Sequence, residues 1–157
     1  MVTRSLIDDF LSHRKLALVG VSRGGKKYGN AILKDLTTKG YQVYPVHPNA
    51  AAIDGHPCWP SLLQLAESVG GVVIVVPPPE TEKVVRDVVK ARIPRVWMQP
   101  GAESAAAIRC CEENRISVVH GECIMISAKP PGPGRRPGPA QRKRIRNSVR
   151  SSSGSAL

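Results

Sequence analysis

Aromatic residues are scarce in this sequence: one Phe, two Trp and three Tyr among 157 residues. A core must therefore be built from Val, Ile, Leu and Ala, within a length that suits one ordinary domain. Cysteines are few as well. Cys58, Cys110, Cys111 and Cys123 form no C-x-x-C pair, and adjacent cysteines rarely bridge each other. This pattern disfavours a disulfide scaffold and predicts reduced thiols in a cytosolic protein. No apolar run approaches about 18 residues, so no membrane span is expected. The opening stretch "MVTRSLIDDFLSHRK" carries two Asp among its apolar residues and makes a poor signal peptide. The expected location is the cytoplasm. Acidic residues are missing altogether from 128–157, where eight Lys or Arg stand. The net charge of +11 thus sits mainly there, because the remainder balances 15 basic against 12 acidic residues.

What is present alternates between strand-like and helix-like segments. Residues 5–13 place Leu6, Ile7, Phe10 and Leu11 at helical spacing. Apolar runs follow at "LALVGV" (16–21), "YQVYPV" (41–46), "GVVIVV" (71–76), "RVWMQ" (95–99) and "ISVVH" (116–120). Helical patterns intervene at 29–39, 61–67, 79–94 and 103–114, with Gly40 and Pro94 as stop signals. Strands apolar on both faces are buried between helical layers. The prediction is an α/β, Rossmann-like doubly wound parallel sheet of about five strands with helices on both faces. "IDGHPCW" (53–59) is read as a short edge strand. From residue 128 the chain turns Pro/Gly-rich, then basic, then Ser-rich. It is read as a disordered tail (128–157) following a folded unit (1–127).

"VGVSRGGKKYG" (19–29) stands where a doubly wound sheet binds ligands, after the first strand and before a helix. Of its four glycines, Gly24, Gly25 and Gly29 allow close approach by an anion, and Arg23, Lys26 and Lys27 supply charge. No acidic residue occurs between Arg14 and Lys34. These features describe a phosphate cradle, against which stands the plainer reading of a solvated loop. A kinase-type P-loop would need Ser or Thr at Lys27 to hold Mg²⁺. A dinucleotide fingerprint would need Gly at Ser22 and an acid after the second strand, where His47, Pro48 and Asn49 stand instead. The third strand ends in "VVPPPE", whose Val76, Pro77 and Pro78 offer a stiff apolar wall beside the loop.

In their joint order, the VGxS loop, "VYPVHPNAAAIDG", the VPPP segment and "VWMQPG" resemble the small CoA-binding proteins. Their fold is similar to that of the N-terminal domain of the succinyl-CoA synthetase alpha subunit. The resemblance covers roughly residues 5–126 and implies coenzyme A, free or acylated, as the ligand. It also implies contacts from Gly20, Val21, Ser22 and Arg23 after the first strand, and from Val76, Pro77 and Pro78 after the third. The family's lysine after the second strand corresponds here to the neighbourhood of Asn49. The synthetase's phosphorylated histidine belongs to a second domain, so the resemblance implies binding without catalysis. Two alternatives stand beside it: an NAD(P)-dependent oxidoreductase or redox-sensing domain, and a nucleic-acid-associated protein acting through its tail. The tail's charges would attract phosphates weakly and without sequence preference, and it has no aromatic to stack on a base.

His47, His56, His120 and Cys123 offer the elements of a metal or Cys/His site, but no two close pairs converge in the sequence. Cys123 follows the fifth strand, on the ligand side, near where the thiol of a bound CoA would lie. Nothing around it in the sequence marks a low-pKa thiol. Glu103, Glu112 and Glu113 are read as a solvated helix face, Trp97 and Met98 as core, and Gln99, Pro100 and Gly101 as a peripheral contact.

Overall fold

The computed structural model describes residues 2–25 and 27–130. Lys26 and nearly all of the basic tail lie outside the described residues. The element order is α1 (Arg4–Ser12), β1 (Lys15–Val19), α2 (Tyr28–Thr38), β2 (Gln42–Val46), β3 (Ala52–Ile53) and β4 (His56–Pro57). A 3-10 turn (Leu62–Leu65) leads into β5 (Gly71–Ile74), α3 (Pro78–Ala91), β6 (Arg95–Met98), α4 (Ala105–Glu113), β7 (Ser117–Val119) and α5 (Ile124–Ser127). Five strands form a parallel sheet in the order β2-β1-β5-β6-β7. The α/β, Rossmann-like class read from the sequence is the one observed.

Strand alternation divides the core in two. Leu16, Leu18, Val73, Trp97 and Val119 face α1, α2 and α5, meeting Phe10, Ile32, Leu33, Leu36 and Ile124. Ala17, Val72, Ile74, Val96, Met98 and Val118 face α3 and α4, meeting Val85, Val88, Ala107 and Cys111. Each fully buried Val, Leu or Ile contributes roughly 1.5–3 kcal/mol, which is how a chain with few aromatics holds its sheet. Trp97 and Phe10 pack edge to face with centroids 5.3 Å apart. Gly71 makes room for that pair, since a Cβ there would lie 2.6 Å from Phe10 Cε2.

Several details differ from the sequence reading. The 53–59 segment is not an edge strand. β3 and β4 form their own antiparallel hairpin, and just after it a parallel bridge joins Trp59 to Val46 of the main sheet. Asp54 and Gly55 turn it with φ of 51° and 80°, the two positive angles an Asp-Gly hairpin turn requires. α3 ends at Ala91, before Pro94, because Arg92 adopts the left-handed conformation and donates its N–H to Val88 and Val89. Glu103 precedes α4, whose N-cap is Ser104. The short α5 was not foreseen.

Ala128 is 1% exposed, belongs to the core around Trp97 and donates its N–H to Ile124 O at 2.8 Å. A boundary drawn after Ser127 therefore removes a packed residue. Truncation after Pro130 is expected to leave the thermal midpoint unchanged. Truncation after Ser127 is expected to cost about 1–2 kcal/mol, one hydrogen bond plus a buried methyl. Urea unfolding of both truncations beside the full chain makes the comparison.

Candidate functional site at the carboxyl edge of the sheet

Because all five strands run parallel, their carboxyl ends share one edge. Val19 pairs with both Val46 and Ile74, and Ile74 pairs with Met98. The loops after β1, β2, β5, β6 and β7 thus open on the same side. Connections leave in opposite directions from β1 and β5, so the switch point lies between them.

At that point three backbone segments touch. Gly20 has φ of +126°, and a Cβ there would lie 2.4 Å from Val75 O. A Cβ at Gly29 would lie 2.3 Å from Gly20 O. The end of β1, the end of β5 and the start of α2 are close enough to exclude any side chain. Asn30, 4% exposed, then fastens the loop. Its Oδ1 accepts from Ser22 N at 2.9 Å, and its Nδ2 donates to Ser22 O and to Asp54 Oδ2, each at 3.0 Å. Gly25 N closes a turn onto Ser22 O at 3.2 Å. The N–H groups of Ser22 and Gly25 are thereby committed within the loop.

α2, like α3 and α5, starts without a side-chain cap hydrogen bond. Thr3, Ser61 and Ser104 each cap the helix or turn that follows with a side-chain oxygen. Lys27 occupies the N-cap of α2 in an extended conformation, with no side-chain hydrogen bond. Among the described residues, no side-chain acceptor meets the first N–H groups of this 11-residue helix, which lie beside Arg23, Gly24 and Gly25, all exposed.

The predicted site residues gather along this edge in different ways. Val21 is buried against α2, so only its backbone faces the loop. His47 is half-buried, and its Nδ1 accepts from Asn49 N at 3.0 Å, closing a small turn that leaves Pro48 and Asn49 exposed. Val76 is half-buried, and Pro77 and Pro78 are exposed. Residues 75–78 form one wall of a cleft of about 480 Å³, residues 99–102 form the other, and Tyr28 lines it from the start of α2. A second cleft, about 600 Å³, lies on the flank of α2 and is lined by Gly25, Lys27, Lys34, Asp54 and His56. Among the described residues no group of three or more His, Cys, Asp and Glu is arranged to hold a metal.

Three features escaped the sequence reading. Asp54, far from the loop in sequence, reaches it through Asn30. Its Asp-Gly turn was the available signal. Glu103 spans two loops, its carboxylate accepting from Gly101 N at 2.9 Å and Gly121 N at 3.2 Å. Gln99 is 1% exposed and works inside the fold. Its Oε1 accepts from Ile124 N at 2.7 Å and Trp97 Nε1 at 3.2 Å, and its Nε2 donates to Cys123 Sγ at 3.6 Å.

Cys123 departs from the expectation of an unremarkable thiol. Burial raises its pKa, but hydrogen bonds from the Tyr28 hydroxyl, the Gln99 amide and the N–H groups of Met125 and Ile126 outweigh burial and hold it below the usual value. The same bond raises the Tyr28 hydroxyl, which sits 3.4 Å from Sγ. Cys111 is the opposite case. Burial, aided by Cys110 and Glu112, pushes it up to about 12. All four cysteines are free.

Residues 14–129 match the model of a family described as the CoA binding domain. A conserved hypothetical protein from Pyrococcus furiosus is 43% identical, with a TM-score of 0.70 over 73% of this chain and 99% of that one. A hypothetical protein from Pyrococcus horikoshii is 30% identical, with a TM-score of 0.74 over 80% of this chain and 89% of that one. The ADP-forming acetate–CoA ligase I of Archaeoglobus fulgidus is 39% identical over 72 residues, 46% of this chain. The aligned stretch is 10% of that ligase, so the chain matches a small part of the curated relatives.

A hydroxyl that donates to the thiolate favours the charged form, so its removal raises the pKa. Iodoacetamide should modify Cys123 well before Cys111 near neutral pH. Tyr28→Phe should move the midpoint of the Cys123 rate–pH profile upward. Peptide mapping by mass spectrometry over pH 6–10 reads both results.

Proposed function

We propose that this chain, which belongs to the CoA-binding domain family, binds coenzyme A or an acyl-CoA at the carboxyl edge of its sheet and performs no catalysis there. The observation that carries the reading is the start of α2, a helix without a side-chain cap, placed at the switch point behind a glycine loop. Anions bind at such a terminus through N–H groups and the helix dipole. CoA brings a diphosphate and a 3′-phosphate, which suit Arg23, Lys26 and Lys27. Gly20, Val21, Ser22, Gly24 and Gly25 supply the close backbone. His47, Pro48 and Asn49 border the site from the β2 side, and Val76, Pro77 and Pro78 offer an apolar surface to the less polar parts of the ligand. Two features weigh against a dinucleotide. Ser22 stands where the fingerprint has its second glycine. No acid follows β2 directly, and Asp54, which comes nearest the loop, is engaged by Asn30. The folded unit holds the ligand by itself in this reading, and 131–157 take no part.

Calorimetry with CoA, NAD, NADP and ATP at moderate salt tests the proposal. CoA should bind tightest, and tighter NAD binding would refute it. The doubly substituted Lys26→Ala/Lys27→Ala protein should bind CoA about 10- to 100-fold more weakly, the equivalent of one charge-assisted hydrogen bond. Its affinity should also depend less on salt. Unchanged affinity in a folded variant would show that the lysines only decorate the loop.

A further inference from the structure

We infer that the cleft between residues 75–78 and 99–102 seats the sulfur end of the ligand and discriminates between thioesters by charge. Short uncharged acyl chains are accepted and chains ending in a carboxylate are rejected. The inference rests on the CoA reading above and specifies its ligand.

The phosphate cradle lies over β1 and the start of α2, whereas the cleft opens between the loops after β5 and β6. Tyr28 belongs to both, as the first residue of α2 and part of the cleft lining. A ligand anchored by its phosphates at the loop and extended along the sheet edge past Tyr28 delivers its far end into this cleft. For CoA the far end is the pantetheine sulfur and whatever it carries.

Wall chemistry decides what that end can be. Among the described residues, no charged side chain lines the cleft. Pro77, Pro78 and Pro100 have no N–H to offer. Four of the remaining wall N–H groups are already engaged: Val75 N donates to Val19 O at 2.8 Å, Gln99 N to Ile74 O at 3.1 Å, Ala102 N to Gln99 O at 2.9 Å and Gly101 N to Glu103 Oε1 at 2.9 Å. A carboxylate placed here would lose water and find few donors, a cost that grows steeply for an unpaired charge. A like charge also stands behind the wall, because the Glu103 carboxylate accepts from Gly101 N at 2.9 Å. An uncharged acyl group meets Val, Pro and Ala surface, with the Tyr28 hydroxyl as a neutral polar contact.

Cys123 provides a position marker. Its Sγ lies 3.4 Å from the Tyr28 hydroxyl and 3.6 Å from Gln99 Nε2, and both of those residues line the cleft. A sulfur seated in the cleft is therefore close to this thiol. With the symmetrical disulfide of CoA as probe, the Cys123 thiolate attacks one ligand sulfur. A protein–CoA S–S bond forms, the original S–S bond breaks, and the other CoA departs as its thiolate.

The experiment titrates the full chain with CoA, propionyl-CoA and succinyl-CoA, and maps the adduct formed with CoA disulfide. Propionyl-CoA should bind within about threefold of CoA, and succinyl-CoA about tenfold or more below propionyl-CoA. Glu103→Gln, checked for an unchanged melting temperature, should narrow that gap. The adduct should fall on Cys123. Equal affinity for the two thioesters, or an adduct confined to Cys58 or Cys110, would overturn the inference while leaving CoA binding intact. Failure of all three ligands to bind would overturn the CoA reading and this inference with it.

Discussion

The site depends on two backbone contacts that only glycine permits. Gly20 lies against Val75 O, and Gly29 lies against Gly20 O. A methyl group at either position would drive apart the end of β1, the end of β5 and the start of α2. These are the segments that bring a helix terminus to the switch point of the sheet. Asn30 converts this closeness into a fixed shape. Buried and bonded to Ser22 on both sides, it prevents the loop from relaxing into solvent. It also ties in Asp54, so the β3–β4 hairpin acts as a strut for the loop.

Around that centre the edge divides by chemistry. On the β1 side stand the exposed basic residues and the uncapped helix. On the β5–β6 side stand three prolines, valines and an alanine, with polar groups largely turned inward. Gln99 illustrates the division. It occupies the ligand edge, yet its amide serves Trp97, Ile124 and Cys123, and so links the sheet to the β7–α5 loop. Glu103 does similar work from the other direction, joining the loops after β6 and β7. A charged, open half and a stiff, apolar half match a ligand with phosphates at one end and a thiol at the other.

Much of this was legible in the sequence, for physical reasons. Two-sided apolar runs such as "GVVIVV" have nowhere to go except the middle of a layered sheet. A glycine-rich loop after the first strand has one place to be. What escaped depends on contacts between distant residues. Asp54 reaches the loop only because the hairpin folds back, and Cys123 gains its donors from Tyr28 and Gln99, each remote in sequence. Glu103 seemed to belong to a helix face because its spacing fits one. The chain instead caps α4 with Ser104 and leaves Glu103 free to bridge loops. The segment 53–59 was read as an edge strand although Asp54-Gly55 is a hairpin signal. With two residues per strand, its tertiary contacts decide its form.

The central claim is that CoA lies along the carboxyl edge, from the glycine loop to the β5–β6 cleft. Amide chemical shifts of the ¹⁵N-labelled chain, followed during titration with CoA, test it most directly. The account predicts perturbations at Gly20, Arg23, Gly24, Asn49, Val76 and Gly101, with Lys15, Gly70 and Arg95 at the opposite edge unmoved. Perturbations centred on Lys15, Gly70 and Arg95, or none at saturating CoA, would contradict it.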